Sequence, residues 1–144
     1  MAAEQSQATG EVGGDAHQLQ ERVSRPLPGV VLFREPPVVT FDTMDVMWDR
    51  AAQLYAGQTG RMLIADLSET GLPSANIRAR LRNELRALEI THVALVLGQN
   101  SIMQTATRFV LTMILPEYRT SVHSSVDEAL SWAKSASPRG GPTG

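Results

Sequence analysis

Residues 62–97 read MLIADLSETGLPSANIRARLRNELRALEITHVALVL. Both ends are compact apolar runs, Met62–Leu67 and His92–Leu97, of the kind that forms a strand covered on both faces. Between them the loop Ser68-Glu-Thr-Gly-Leu-Pro73 leads into a stretch from about Ser74 to Leu88. There Ile77, Leu81, Leu85 and Leu88 recur at helical spacing. Strand, helix and strand in this order demand a right-handed crossover between parallel neighbours. The fold is therefore α/β.

Upstream, Gly29–Phe33 and Val38–Phe41 are β-rich runs separated by Arg34-Glu-Pro-Pro37, a pattern that predicts a hairpin. Asp42 or Thr43 is expected to cap the helix that follows, whose apolar positions are Met44, Met47, Trp48, Ala51, Ala52 and Tyr55. Downstream, Ser101 and Gln104 have the spacing of a capping box. They open a helix whose wide apolar arc (Ile102, Met103, Ala106, Phe109, Val110, Met113, Ile114) predicts deep burial, and which Pro116 ends. Thr120–Ser124 reads as a weak edge strand. Ser125-Val-Asp-Glu128 is a second capping box, opening a last helix through Ala129, Leu130 and Ala133. The predicted order is ββαβαβαβα: a mixed, mostly parallel sheet of about five strands with four helices, the first strand antiparallel to its neighbour. Residues 1–22 and 137–144 are poor in large apolar side chains and are expected to be disordered tails around one domain, 23–136.

The 144 residues (15.6 kDa) suit a single core. There is no cysteine, which excludes disulfides, thiol nucleophiles and thiolate metal sites. Histidine occurs only at 17, 92 and 123, so no local spacing suggests a metal site. A net charge of −2 argues against non-specific nucleic-acid binding, which needs a field of basic groups. No apolar run approaches the ~18 residues of a membrane span. The N-terminus lacks the basic and apolar regions of a secretory signal, and the expected location is the cytoplasm.

Few residues suggest chemistry. Asp66 ends a central strand, where open α/β sheets collect ligands, with Ser68 and Ser74 close behind. The local reading, in which Asp66 and Ser68 hydrogen-bond their own loop, is preferred. Gly98-Gln-Asn-Ser101 joins a strand end to a helix N-terminus but lacks the glycine spacing and lysine of a phosphate loop. Arg78, Arg82 and Arg86, at i, i+4 and i+8, form a ridge suited to an acidic partner or a phosphate, or else a solvated face with Glu84 and Glu89 nearby. His92, His123, Trp48 and Trp132 read as packing residues. No nucleophile–base pair, paired-carboxylate motif or cofactor fingerprint is evident, so the expectation is a non-enzyme without cofactor or metal.

The strand Leu63-Ile-Ala-Asp-Leu67 with Ser68 resembles the aspartate–leucine–serine strand end of STAS domains. Ala106-Thr-Arg-Phe-Val-Leu111 and Ser125-Val-Asp-Glu-Ala-Leu-Ser-Trp132 resemble their SpoIIAA-like (STAS/SEC14-type) branch. The likeness spans about residues 28–135. It implies a non-catalytic regulatory or scaffolding domain that binds a protein partner, a signalling kinase or a scaffold protein. In STAS proteins that act as anti-sigma-factor antagonists, a serine at the helix start is phosphorylated by a partner kinase, adding roughly two negative charges. Laid on that pattern from Asp66, Ser74 takes the place of the helix-start aspartate. Ala75 and Asn76 replace the two serines and Ile77 the glycine, so the usual phosphoacceptor is missing. The partner surface implied comprises Asp66, Ser68, Ser74, Asn76, Arg78, Arg82 and Arg86. Homo-oligomerisation stays open. The alternative is a small-ligand or lipid carrier of the SEC14 type; Met44, Met47, Met62, Met103 and Met113 are compatible with an adaptable pocket and equally with an ordinary core, the preferred reading.

Overall fold

The structure, a computed structural model, describes residues 16–70, 74–98, 102, 104–105, 107–108 and 118–136. Its elements are β1 (Val23–Leu27), β2 (Val30–Arg34), α1 (Phe41–Tyr55), β3 (Met62–Asp66), α2 (Ala75–Ala87), β4 (His92–Val96), β5 (Arg119–His123) and α3 (Val126–Ala136). Residues 16–21 add a short helical segment ahead of β1, and residues 102, 104, 105, 107 and 108 are helical. The sheet runs β1-β2-β3-β4-β5; β1 is antiparallel to β2 and the other pairings are parallel.

Strand order equals chain order from β2 to β5, so right-handed crossovers deliver successive helices to one face. There Val31, Phe33, Leu63, Ala65, Val93, Leu95 and Val122 pack against Met44, Met47, Trp48, Ala51 and Tyr55 of α1 and Leu85 of α2. The alternate residues Val30, Met62, Ile64, Ala94 and Val96 point the other way, where α3 supplies Ala129 and Ala133. Two layers of helix around a buried sheet explain why β3 and β4 read as unbroken apolar runs.

Local chemistry sets the boundaries. Glycine-29, at φ 76°, allows the tight return from β1 to β2. The Tyr55 hydroxyl donates to the Met62 carbonyl, tying the end of α1 to the start of β3, while the Arg61 guanidinium lies 5.6 Å from the Tyr55 ring centre. Arg61 also donates to the Leu88 carbonyl at 2.8 Å and so holds the far end of α2. Helix α2 closes in a Schellman arrangement, with Ile90 N–H on the Leu85 carbonyl (3.0 Å) and Glu89 N–H on that of Arg86 (3.1 Å).

Several expectations are corrected. The hairpin pairs 23–27 with 30–34, and Val38–Phe41 is no strand. Thr40, not Asp42 or Thr43, caps α1: its hydroxyl accepts from Thr43 N–H, and Thr43 Oγ1 accepts from Thr40 N–H at 2.8 Å. The alternation of Val38, Val39 and Phe41 thus belongs to a helix approach, with Val39 packed on the core and Val38 71% exposed. The helical segment at 16–21 places structure inside the expected tail and before the first expected element, and Leu19 packs on the core. Ile102, expected inside, is 81% exposed. The rest of that apolar arc, the Ser101 cap and residues 137–144 lie outside the described residues.

Candidate functional site

Strand ends β2 and β3 meet at the carboxyl edge of the sheet, where Glu35 N–H donates to the Asp66 carbonyl at 3.0 Å. Asp66 turns its side chain back on its own loop: Oδ1 accepts from Ser68 N–H at 3.0 Å and from Ser68 Oγ at 2.6 Å. This is an Asx turn, the local reading of that pair. Ser68 remains exposed on the surface. Thr70 Oγ1 donates to the Pro37 carbonyl at 3.0 Å, latching the Asp66 loop to the loop before α1.

Arg22 completes this corner. Its guanidinium donates to the Arg34 carbonyl at 3.1 Å and lies 3.6 Å from Glu69 Oε1. Burial pushes the Glu35 carboxyl up to about 7, against the opposing pull of Arg22. Neither Arg22 nor Glu35 stands out in the sequence, because their approach depends on the β1–β2 register.

Ser74 and Asn76 are exposed at the start of α2, where Ser74 Oγ accepts from Ile77 N–H at 3.4 Å. Ile77, Leu81 and Leu88 pack on the core around buried Leu85. A ridge at four-residue spacing drifts about 40° per step around a helix of 3.6 residues per turn. Arg78 and Arg82 are accordingly half-buried, and Arg86 is exposed. On the opposite flank Arg80 reaches Asp45 of α1 at 2.5 Å and Glu84 at 3.0 Å, and sits 6.0 Å from the Phe41 ring centre. Arg82 and Arg86 make no side-chain hydrogen bond or ion pair among the described residues; Arg78 does have a partner. Arg80 lies off the Arg78–Arg82–Arg86 ridge in sequence. Its i,i+4 spacing to Glu84 is the signal that identifies it.

The structure thus joins Asp66 to Ser68 directly and aligns Ser74, Arg78, Arg82 and Arg86 along α2. It also gathers residues far apart in sequence: His92 and His123 both flank Trp132, and Ser121 Oγ lies 2.6 Å from His123 Nε2. The β4–β5 register brings the two histidines to one face, which local spacing does not reveal. Met44, Met47 and Met62 are buried within the two apolar clusters, as core filling. Among the described residues no group of three or more His, Asp or Glu is placed to hold a metal ion, and no helix is long and apolar enough to cross a membrane.

Comparison with protein-family models, with curated proteins and with solved structures gives no match for this chain.

Proposed function

We propose that the chain is a STAS-like, non-catalytic interaction module of the cytoplasm, binding an acidic protein surface through α2 and the loop before it. The observation that carries this reading is the division of labour among the arginines of one helix. Arg80 is satisfied twice within the fold, whereas Arg82 and Arg86 extend from the other flank without an acidic partner among the described residues. Planar guanidinium groups in a row suit paired carboxylates on a partner. The Asp66–Ser68 turn, the antiparallel first strand and the parallel β2–β5 order are compatible with the STAS resemblance. Asn76 and Ala75 stand where that family carries its phosphoacceptor, so binding here works without that switch. Affinity capture from extracts of the source organism tests the reading. The unmodified chain should retain a partner that the Arg82→Glu/Arg86→Glu variant loses; equal recovery by a folded variant overturns it.

A further inference from the structure

Among the described residues, α3 alone covers the sheet face opposite α1 and α2, with fully buried Ala129 and Ala133 set against β3 and β4. Toward β5 this small-residue contact gives way to rings. The Trp132 ring centre lies 6.0 Å from that of His92 on β4 and 5.9 Å from that of His123 on β5, tilted by 56° and 51°. We propose that these two histidines form a pH-responsive catch on α3, holding the helix against the sheet while both imidazoles are neutral and loosening it when they take up protons.

The hydrogen bonds show where a second proton would go. Thr91 Oγ1 donates to the Arg61 carbonyl at 3.3 Å and lies 2.7 Å from His92 Nδ1. Its single proton is thereby spent, so Nδ1 is the donor to Thr91 and Nε2 carries the free lone pair of neutral His92, a tautomer assigned from this network. Protonating Nε2 puts charge on a ring that is only 7% exposed. For His123 the Ser121 hydroxyl engages Nε2, which leaves Nδ1 as the other protonation site when that hydrogen bond is kept.

The surrounding charges oppose this uptake. Arg119 is the register partner of His92 on β5, and β3 presents apolar Met62 on its other side. His123 feels Glu128 from α3 and Arg108 from the segment after β4, and Ser121 is its neutral hydrogen-bonding neighbour. Asp127 and Lys134, the other charged residues of α3, are exposed. Two imidazolium ions would therefore face two arginines and one carboxylate, while attraction to the Trp132 ring offsets part of the repulsion. Burial, then Arg119, lowers the His92 pKa. Burial likewise lowers that of His123, with Glu128 pulling it up and Arg108 down. Both groups hold protons less tightly folded than unfolded. The docking they support is complete above the ordinary histidine value of about 6.5 and is lost as pH falls below it toward the folded-state values.

Amide hydrogen exchange on the full chain, corrected for intrinsic rates, tests this. Between pH 7.5 and pH 5, α3 should lose protection relative to α1, because a histidine whose pKa is lowered on folding favours the opened state once it takes up a proton. The His92→Gln/His123→Gln variant should keep that ratio constant. An unmodified chain whose ratio does not change, or a variant that loses as much as the parent, overturns the proposal. Should the variant fail to fold, proton NMR of the unmodified chain decides. The His92 and His123 ring protons must titrate below about 6.5 with the Trp132 indole signal moving in step, and midpoints at or above that value refute the catch.

Discussion

Arg80 Nη2 donates to Asp45 Oδ1 at 2.5 Å, an ion pair that joins the middle of α2 to the first turns of α1. The same guanidinium holds Glu84 and lies near the Phe41 ring, so one side chain serves three neighbours. The two carboxylates strengthen its hold on its proton. The helix face used for packing and the face left for a partner are thereby separated within a few residues.

This separation has measurable consequences for stability. Arg80→Ala should lower unfolding free energy by about 1 kcal/mol, as expected of a part-exposed pair reinforced by a network. An Asp45→Ala/Arg80→Ala double-mutant cycle should show coupling of about 0.5 kcal/mol or more that shrinks in high salt. Arg82→Ala should stay within about ±0.5 kcal/mol of the parent. Urea unfolding of the variants checks all three.

Glu35 gives the fold a second pH dependence, of opposite sign to the histidines. Its carboxyl is raised from 4.5 to about 7, chiefly by burial. The folded state therefore binds its proton more tightly than the unfolded chain does. That contribution is whole below the unfolded value and lost as pH rises through about 7. Glu35→Gln should thus be more stable than the parent at pH 8, by roughly 1–2 kcal/mol, and the two should converge near pH 4. Thermal unfolding across pH 4–8 reads the difference; a variant less stable at pH 8 contradicts it.

Glu89 follows α2 with φ 57°, the left-handed conformation of a Schellman closure that glycine adopts without a Cβ penalty. Its N–H still bonds the Arg86 carbonyl, and Ile90 behind it is buried. Glu89→Gly should raise stability by about 0.5–1 kcal/mol in denaturant unfolding, the relief of backbone strain outweighing the added freedom of the unfolded chain.

Much of this architecture was legible because its signals are local. The apolar runs at 62–67 and 92–97 became β3 and β4, and the stripe Ile77, Leu81, Leu85 and Leu88 became the buried side of α2. Ser74 and Ser125 were readable as helix-opening residues, although Glu128 Oε1 accepts from Ser124 N–H rather than from Ser125. Gln104 donates to the Gly98 carbonyl at 2.8 Å and to Ser124 Oγ at 3.0 Å, contacts that its spacing along the chain does not reveal. The first hairpin was misplaced because Val23-Ser-Arg-Pro-Leu27 looks too polar and proline-broken for a strand. An edge strand with an irregular register tolerates such residues, and only pairing with β2 reveals it. Contacts such as Arg22 with Glu69, Arg80 with Asp45, and the two histidines with Trp132 are set by tertiary register, which residue spacing along the chain does not encode.

The segment ahead of β1 offers a further check. Leu19 packs on the main core, and Arg22 N–H bonds the Leu19 carbonyl at 3.0 Å while its side chain bridges to Arg34 and Glu69. Removing residues 1–22 should cost about 1–3 kcal/mol more than removing 1–15, from the lost apolar burial and the Arg22 contacts. Equal midpoints in urea for the two truncated chains would show that this segment adds nothing.

The central claim is that α2 leaves Arg82 and Arg86 for an acidic partner. The most direct measurement is the dissociation constant of the captured partner for the parent chain and for Arg82→Glu/Arg86→Glu, with melting temperatures taken alongside. Loss of interface arginines at about 2 kcal/mol or more corresponds to at least a ~30-fold weaker complex. The account predicts that loss together with a nearly unchanged melting temperature. An unchanged dissociation constant in a variant that melts like the parent would contradict it.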